Sequence, residues 1–98
     1  MIIYNVTVSL DPSIHQDWLN WMKTSHIPDV MNTGYFIEHK LCKVLVNDEL
    51  TYAIQYLCKD HETLSEYQQK IAPKLQDEHR QRYEGKFAAF RTLLEIID

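Results

Sequence analysis

Between Ile2 and Leu10 the side chains alternate: Ile2, Tyr4, Val6, Val8 and Leu10 stand on one face of an extended chain, with Asn5, Thr7 and Ser9 on the other. Period two sustained this long is the mark of a strand with one face buried, so the chain is committed to a sheet from its start. Asp11-Pro12 then supplies an N-cap and a first-turn proline. Ile14, Trp18, Trp21, Met22 and Ser25 recur at helical spacing, with Gln16, Asp17, Asn20 and Lys23 opposite them. Pro28 disfavours helical geometry at Ile27, which predicts a helix end near His26. A short turn or helical piece follows from Asp29 to Gly34.

His39 to Val46 reads as a second strand, Asn47 to Leu50 as a turn and Thr51 to Cys58 as a third strand. Antiparallel pairing of Val46 with Tyr52, Val44 with Ile54 and Cys42 with Tyr56 places these residues on one face. Leu41, Lys43 and Leu45 then share the other face with Leu57, Gln55 and Ala53. Shifts of two residues preserve the faces, and a slip of one mixes them. Asp60 caps a second helix striped by Leu64, Tyr67, Ile71 and Leu75, which Pro73 must kink or divide. Gly85 is a terminator. Lys86 to Ile97 forms the last strand, with Ala88, Phe90, Thr92, Leu94 and Ile96 on one face and Phe87, Ala89, Arg91, Leu93 and Glu95 on the other.

Strand, helix, strand, strand, helix, strand within 98 residues predicts one domain, residues 1–98, of the α+β class. The order is that of a ferredoxin-like βαββαβ fold: a four-stranded antiparallel sheet with two helices on one face. The even-numbered face is the more apolar and is expected to receive the helices. The odd-numbered face would then lie open, with Asn5, Thr7, His39, Lys43, Gln55, Arg91 and Glu95 interleaved with Leu41, Leu45, Leu57, Ala89 and Leu93. Such a mixture suits an interface or a partly enclosed cavity better than a solvated surface. A chain of this size buries only about 65% of the surface its unfolded form exposes, which favours pairing with a copy of itself through that face.

Composition narrows the function classes. The net charge of −4 and the pI of about 5.7 leave no concentrated basic face for nucleic acid. Lys86-Phe87-Ala88-Ala89-Phe90 echoes the aromatic strand of RNA-recognition motifs, but those stack bases on two or three exposed rings and the open face is expected to offer Phe87 alone. No apolar run approaches the ~20 residues of a membrane span, and Met1-Ile2-Ile3-Tyr4 has no basic leader, so the chain is expected to be cytoplasmic. Cys42 and Cys58 read as reduced thiols pointing to the covered face. His15, His26, His39, His61 and His79 show no metal-ligand spacing, so no metal is expected, and His61 and His79 read as solvated helix residues. Gly34 and Gly85, the only glycines, form no phosphate loop. No cofactor is implied.

What remains is a candidate small-molecule site. His26 continues the stripe of Trp18 and Met22 at the helix end, where it either serves as the titratable catalytic group or simply fixes the turn before Pro28. Arg91 is the natural anchor for a carboxylate or enolate. Asn5 and Gln55 would form a hydrogen-bonding wall, with His39, Lys43 and Tyr35 as further candidates.

The segment from Trp18 to Val30, with His26-Ile27-Pro28-Asp29-Val30 at its end, resembles the first-helix motif of many dimeric α/β-barrel proteins. Together with Met1-Ile2-Ile3-Tyr4-Asn5-Val6-Thr7-Val8, Thr51-Tyr52-Ala53-Ile54-Gln55-Tyr56, Lys86-Phe87 and Phe90-Arg91-Thr92, the whole chain is similar to an uncharacterised bacterial domain-of-unknown-function family of that superfamily. The resemblance implies a homodimer whose sheets face each other. The wider group includes cofactor-free monooxygenases, isomerases, dehydratases and stress proteins. Three readings therefore stay open: a homodimer binding a small anionic or aromatic metabolite, a cofactor-independent monooxygenase or isomerase, and a non-enzymatic dimeric interaction module.

Overall fold

A computed structural model describes residues 1–98. Strands β1 (Ile2–Leu10), β2 (Glu38–Lys43), β3 (Leu50–Cys58) and β4 (Phe87–Glu95) form one antiparallel sheet in the order β2-β3-β1-β4. A 3-10 turn (Pro12–Ile14) leads into α1 (His15–Trp21), which continues through a π-helical turn (Met22–His26) into α2 (Ile27–Asn32). Helices α3 (His61–Lys70) and α4 (Ala72–Tyr83) complete the second crossover. This is the expected α+β, ferredoxin-like arrangement, with every helix on one face of the sheet. Trp18, Met22, Ile27, Val30, Leu64, Tyr67 and Leu75 from the helices share a single core with Tyr4, Val8, Tyr52, Ile54 and Tyr56 from the strands.

The local signals hold at the caps. The Asp11 carboxylate accepts from the Ser13 N–H at 2.9 Å, and that of Asp60 from the Thr63 N–H at 2.8 Å. Pro73 sits in the first turn of α4 and divides the second helical region, as a residue lacking an N–H must. Gly85 takes a left-handed φ of 75° between α4 and β4, while Lys86 N–H bonds the Tyr83 carbonyl.

Two expectations fail. Pro28 does not end the first helix, and backbone helicity runs from His15 to Asn32. The π turn is the reason: Ile27 N–H reaches back five residues to the Met22 carbonyl. That wider turn separates the proline ring from the carbonyl it would strike in a regular α-helix.

The second correction concerns register. β1 and β3 pair with even residues opposite even ones (Tyr4 with Tyr56, Val6 with Ile54), as their alternation requires. β4 instead pairs Val6 with Arg91 and Tyr4 with Leu93, and β2 pairs Leu41 with Ile54. Both outer strands are therefore turned over relative to the expectation. Phe87, Ala89, Arg91 and Leu93, together with His39, Leu41 and Lys43, point toward the helix side. Cys42, Ala88, Phe90, Thr92 and Leu94 point to the open face, so Cys42 is exposed rather than covered. The exposed ring on the open face is Phe90, not Phe87. Leu45 lies in the β2–β3 connection, beyond the ladder.

Candidate functional site

The register change moves the site. A cavity of about 390 Å³ lies on the helix side of the sheet, roofed by the π turn and α4 and floored by β1, β3 and β4. The π turn contributes His26, α4 contributes His79, and β4 contributes Arg91. Tyr4 from β1, Tyr56 from β3 and Tyr67 from α3 line it as well. Val6, Val8, Met22, Val30, Ile54 and Leu75 supply apolar wall. A volume of this order suits a small organic molecule.

Arg91 Nε donates to the Tyr4 hydroxyl at 3.1 Å, which fixes the guanidinium against the sheet. None of the protein's ion pairs involves Arg91. The Gln76 amide approaches the same hydroxyl at 3.5 Å. Arg91 is exposed at the cavity, and its remaining N–H donors are geometrically free to bond an anionic group.

The two histidines lie on the roof with ring centroids 5.8 Å apart. Burial pushes His26 well below the ordinary histidine range, to about 4; Asp29 opposes this shift and the charge of Arg91 adds to it. His79 is likewise lowered to about 4, mainly by burial and then by His26 and Arg91. Both rings are therefore neutral near pH 7. His26 Nδ1 is buried without any hydrogen-bond partner, whereas the Trp18 indole N–H donates to His79 Nε2 at 2.9 Å. His26 stacks near Trp21 at 4.9 Å, and His79 meets Phe87 edge-on at 4.3 Å. Burial also raises the Tyr56 and Tyr67 hydroxyls, so both are protonated donors.

Of the residues singled out from the sequence, the structure brings His26 and Arg91 together. Asn5 and Gln55 are ladder partners on the open face, away from the cavity, where the Asn5 amide donates to Thr7 Oγ1 at 3.1 Å. His39 and Lys43 are exposed on edge strand β2. Tyr35 borders a separate surface depression with Thr33, Lys59 and Thr63, and its hydroxyl donates to Glu66 at 3.2 Å. His79 had been expected in solvent, yet it is 8% exposed. Its spacing carried the signal, since Leu75, His79 and Tyr83 stand four residues apart on the buried stripe of α4. Tyr4, Tyr56 and Tyr67, which sequence reasoning did not single out for the site, are core residues that also line the cavity. No group of three or more His, Cys, Asp or Glu side chains is placed to hold a metal ion.

The chain matches, over residues 1–97, the family described as "Domain of unknown function (DUF4286)". No curated protein matches it. Among solved structures it is similar to an "ethyl tert-butyl ether d (ethd) family protein" from Bacillus halodurans, at 15% identity and a TM-score of 0.71, covering 99% of this chain and 100% of that one. It is also similar to two proteins from an uncultured marine organism, each described as a dimeric ferredoxin-like protein. One has 10% identity and a TM-score of 0.73, covering 100% of this chain and 96% of that one. The other has 13% identity and a TM-score of 0.63, covering 99% and 97%. At these identities the likeness establishes the ferredoxin-like fold.

Proposed function

This chain belongs to the DUF4286 family, and for it we propose a binding role: a homodimer, each protomer of which holds a small organic anion with an apolar or aromatic body in its helix-side cavity. The observation that carries the reading is Arg91, which is hydrogen-bonded only to the Tyr4 hydroxyl at 3.1 Å and lines a cavity of mixed aromatic, aliphatic and polar side chains, where the other arginine, Arg80, is already paired with Asp77. With no carboxylate in ion-pair reach, this exposed guanidinium keeps donors free for an anion. Tyr4, Tyr56, Tyr67 and Phe87 offer ring surface to the body of the ligand. His26 is one group in this cavity able to accept a proton, so a cofactor-independent reaction at the same site is the second reading, supported by its buried, unpartnered Nδ1.

Self-association is supported by the two dimeric neighbours and by the open sheet face. There Phe90 is 62% and Leu94 41% exposed, beside Ile3 and Leu57. The free thiols Cys42 and Cys58 accord with a cytosolic setting, and no helix is long and apolar enough to cross a membrane.

A thermal-shift screen of aromatic and aliphatic carboxylates tests the binding role. A ligand at a hundredfold excess over its Kd contributes about 2.7 kcal/mol, raising Tm by roughly 10 °C in a domain of this size. Arg91→Met removes the charge while keeping an apolar stem, and it is expected to abolish the shift in a protein that still folds. Equal stabilisation of both forms by the same carboxylates would refute the assignment.

A further inference from the structure

His79 is more sharply constrained than any other polar group in the cavity. Its Nε2 accepts from the Trp18 indole N–H at 2.9 Å, and Trp18 is fully buried. An indole nitrogen can only donate, so Nε2 carries no proton. The ring is neutral, hence its proton resides on Nδ1, and the hydrogen bond at one nitrogen sets the chemistry of the other. That Nδ1–H has no acceptor in the protein, although His79 is 8% exposed and lines the cavity. The neighbours of the ring do not change this. Trp21, Tyr83 and Phe87 face it as aromatic rings 4.3 to 5.7 Å away, and Arg91 on the floor is a donor only. His26 Nδ1 has no hydrogen-bond partner, and the Asp77 carboxylate accepts from Arg80 and Gln81.

We propose that the ligand carries, besides the anionic group held by Arg91, a second oxygen that accepts the His79 Nδ1–H, making oxo acids with an apolar or aromatic body the favoured class. Trp18 is the positioning residue, because it forbids the tautomer in which His79 would accept at Nδ1. The cavity thus discriminates by hydrogen-bond polarity: an oxygen without a hydrogen satisfies His79, whereas a methylene at the same place leaves a buried donor unpaired. This inference rests on the binding role proposed above.

Calorimetric titration with 2-oxo-4-phenylbutanoate and 4-phenylbutanoate tests it, since the two acids share skeleton and charge and differ only in the keto oxygen. The oxo acid is expected to bind at least about tenfold more tightly, because a site built to hydrogen-bond an oxygen rejects the analogue lacking it. His79→Phe should bring the two affinities together, by weakening the oxo acid and by relieving 4-phenylbutanoate of an unpaired donor. Trp18→Phe, which frees the tautomer, should narrow the ratio as well. A readout on the unaltered protein covers the case in which either variant fails to fold. Nitrogen-15 NMR should find His79 protonated at Nδ1, with a signal that moves on adding the oxo acid and stays put with 4-phenylbutanoate. Equal wild-type affinities overturn the inference while leaving the binding role intact, as does a His79→Phe loss common to both acids, which would assign His79 to the carboxylate. A proton on Nε2 overturns it too. Arg91-independent binding of both acids instead refutes the binding role beneath it.

Discussion

His26 and His79 are buried as neutral rings, each lowered to about 4 from an ordinary value of 6.5. The unfolded chain therefore holds more protons than the folded one between those two values, so stability rises with pH across that window. It is fully present above about pH 6.5 and is lost as pH falls toward 4, by up to about 1.4 kcal/mol per pH unit for each histidine. Urea unfolding midpoints at a series of pH values should show this slope, and His26→Phe should halve it. A profile flat from about pH 6.5 to 4.5 would mean that the rings are solvated or paired. An anion bound at Arg91 offsets the charge that helps depress both histidines, so a carboxylate ligand is expected to shrink the slope as well.

The π turn sets where His26 points. It holds one residue more than a regular turn, so deleting an exposed residue such as Thr24 would restore α geometry and keep Trp18 and Val30 both on the core side. Pro28 would then lie four residues past a carbonyl it cannot tolerate, at a cost of about 3 kcal/mol. Deletion of Thr24 together with Pro28→Ala should therefore be more stable than deletion alone by about that amount, as measured by denaturant unfolding. Equal stabilities would mean that the turn does not exist to accommodate the proline. The sequence made Pro28 legible as a helix breaker but not as a widened turn, because a proline's local preference says where a clash arises and not how a tightly packed helix relieves it. The strands divide along similar lines. β1 and β3 were readable because each has one apolar and one mixed face. β4 was not: Phe87, Ala89 and Leu93 on one side balance Ala88, Phe90, Leu94 and Ile96 on the other. Alternation decides register only when one face is plainly wetter, and β4 is apolar on both. Arg91 was thus singled out as a candidate while its face was misassigned, taking Asn5 and Gln55 with it as supposed neighbours.

At the scale of the molecule, two apolar surfaces back onto a single sheet. The helices cover one, and Phe90, Leu94 and Ile96 remain exposed by 62%, 41% and 41% on the other strand face. Pairing through that face predicts a species of twice 11.7 kDa, and Phe90→Glu or Leu94→Glu should convert it to monomer, since a charge buried without a partner costs several kcal/mol. Light scattering that finds a concentration-independent monomer in the wild type would end the dimer reading. Leu93→Glu, on the helix side of the same strand, is expected to leave the mass unchanged. β4 itself is a partition one backbone thick: Arg91 lines the cavity on one side, while Phe90 and Thr92, its immediate neighbours, face the open side of the sheet. If mating alters the affinity for ligand by some factor, ligand must alter the affinity for mating by that same factor. In that case no single dissociation constant describes the protein unless its own concentration is stated alongside it.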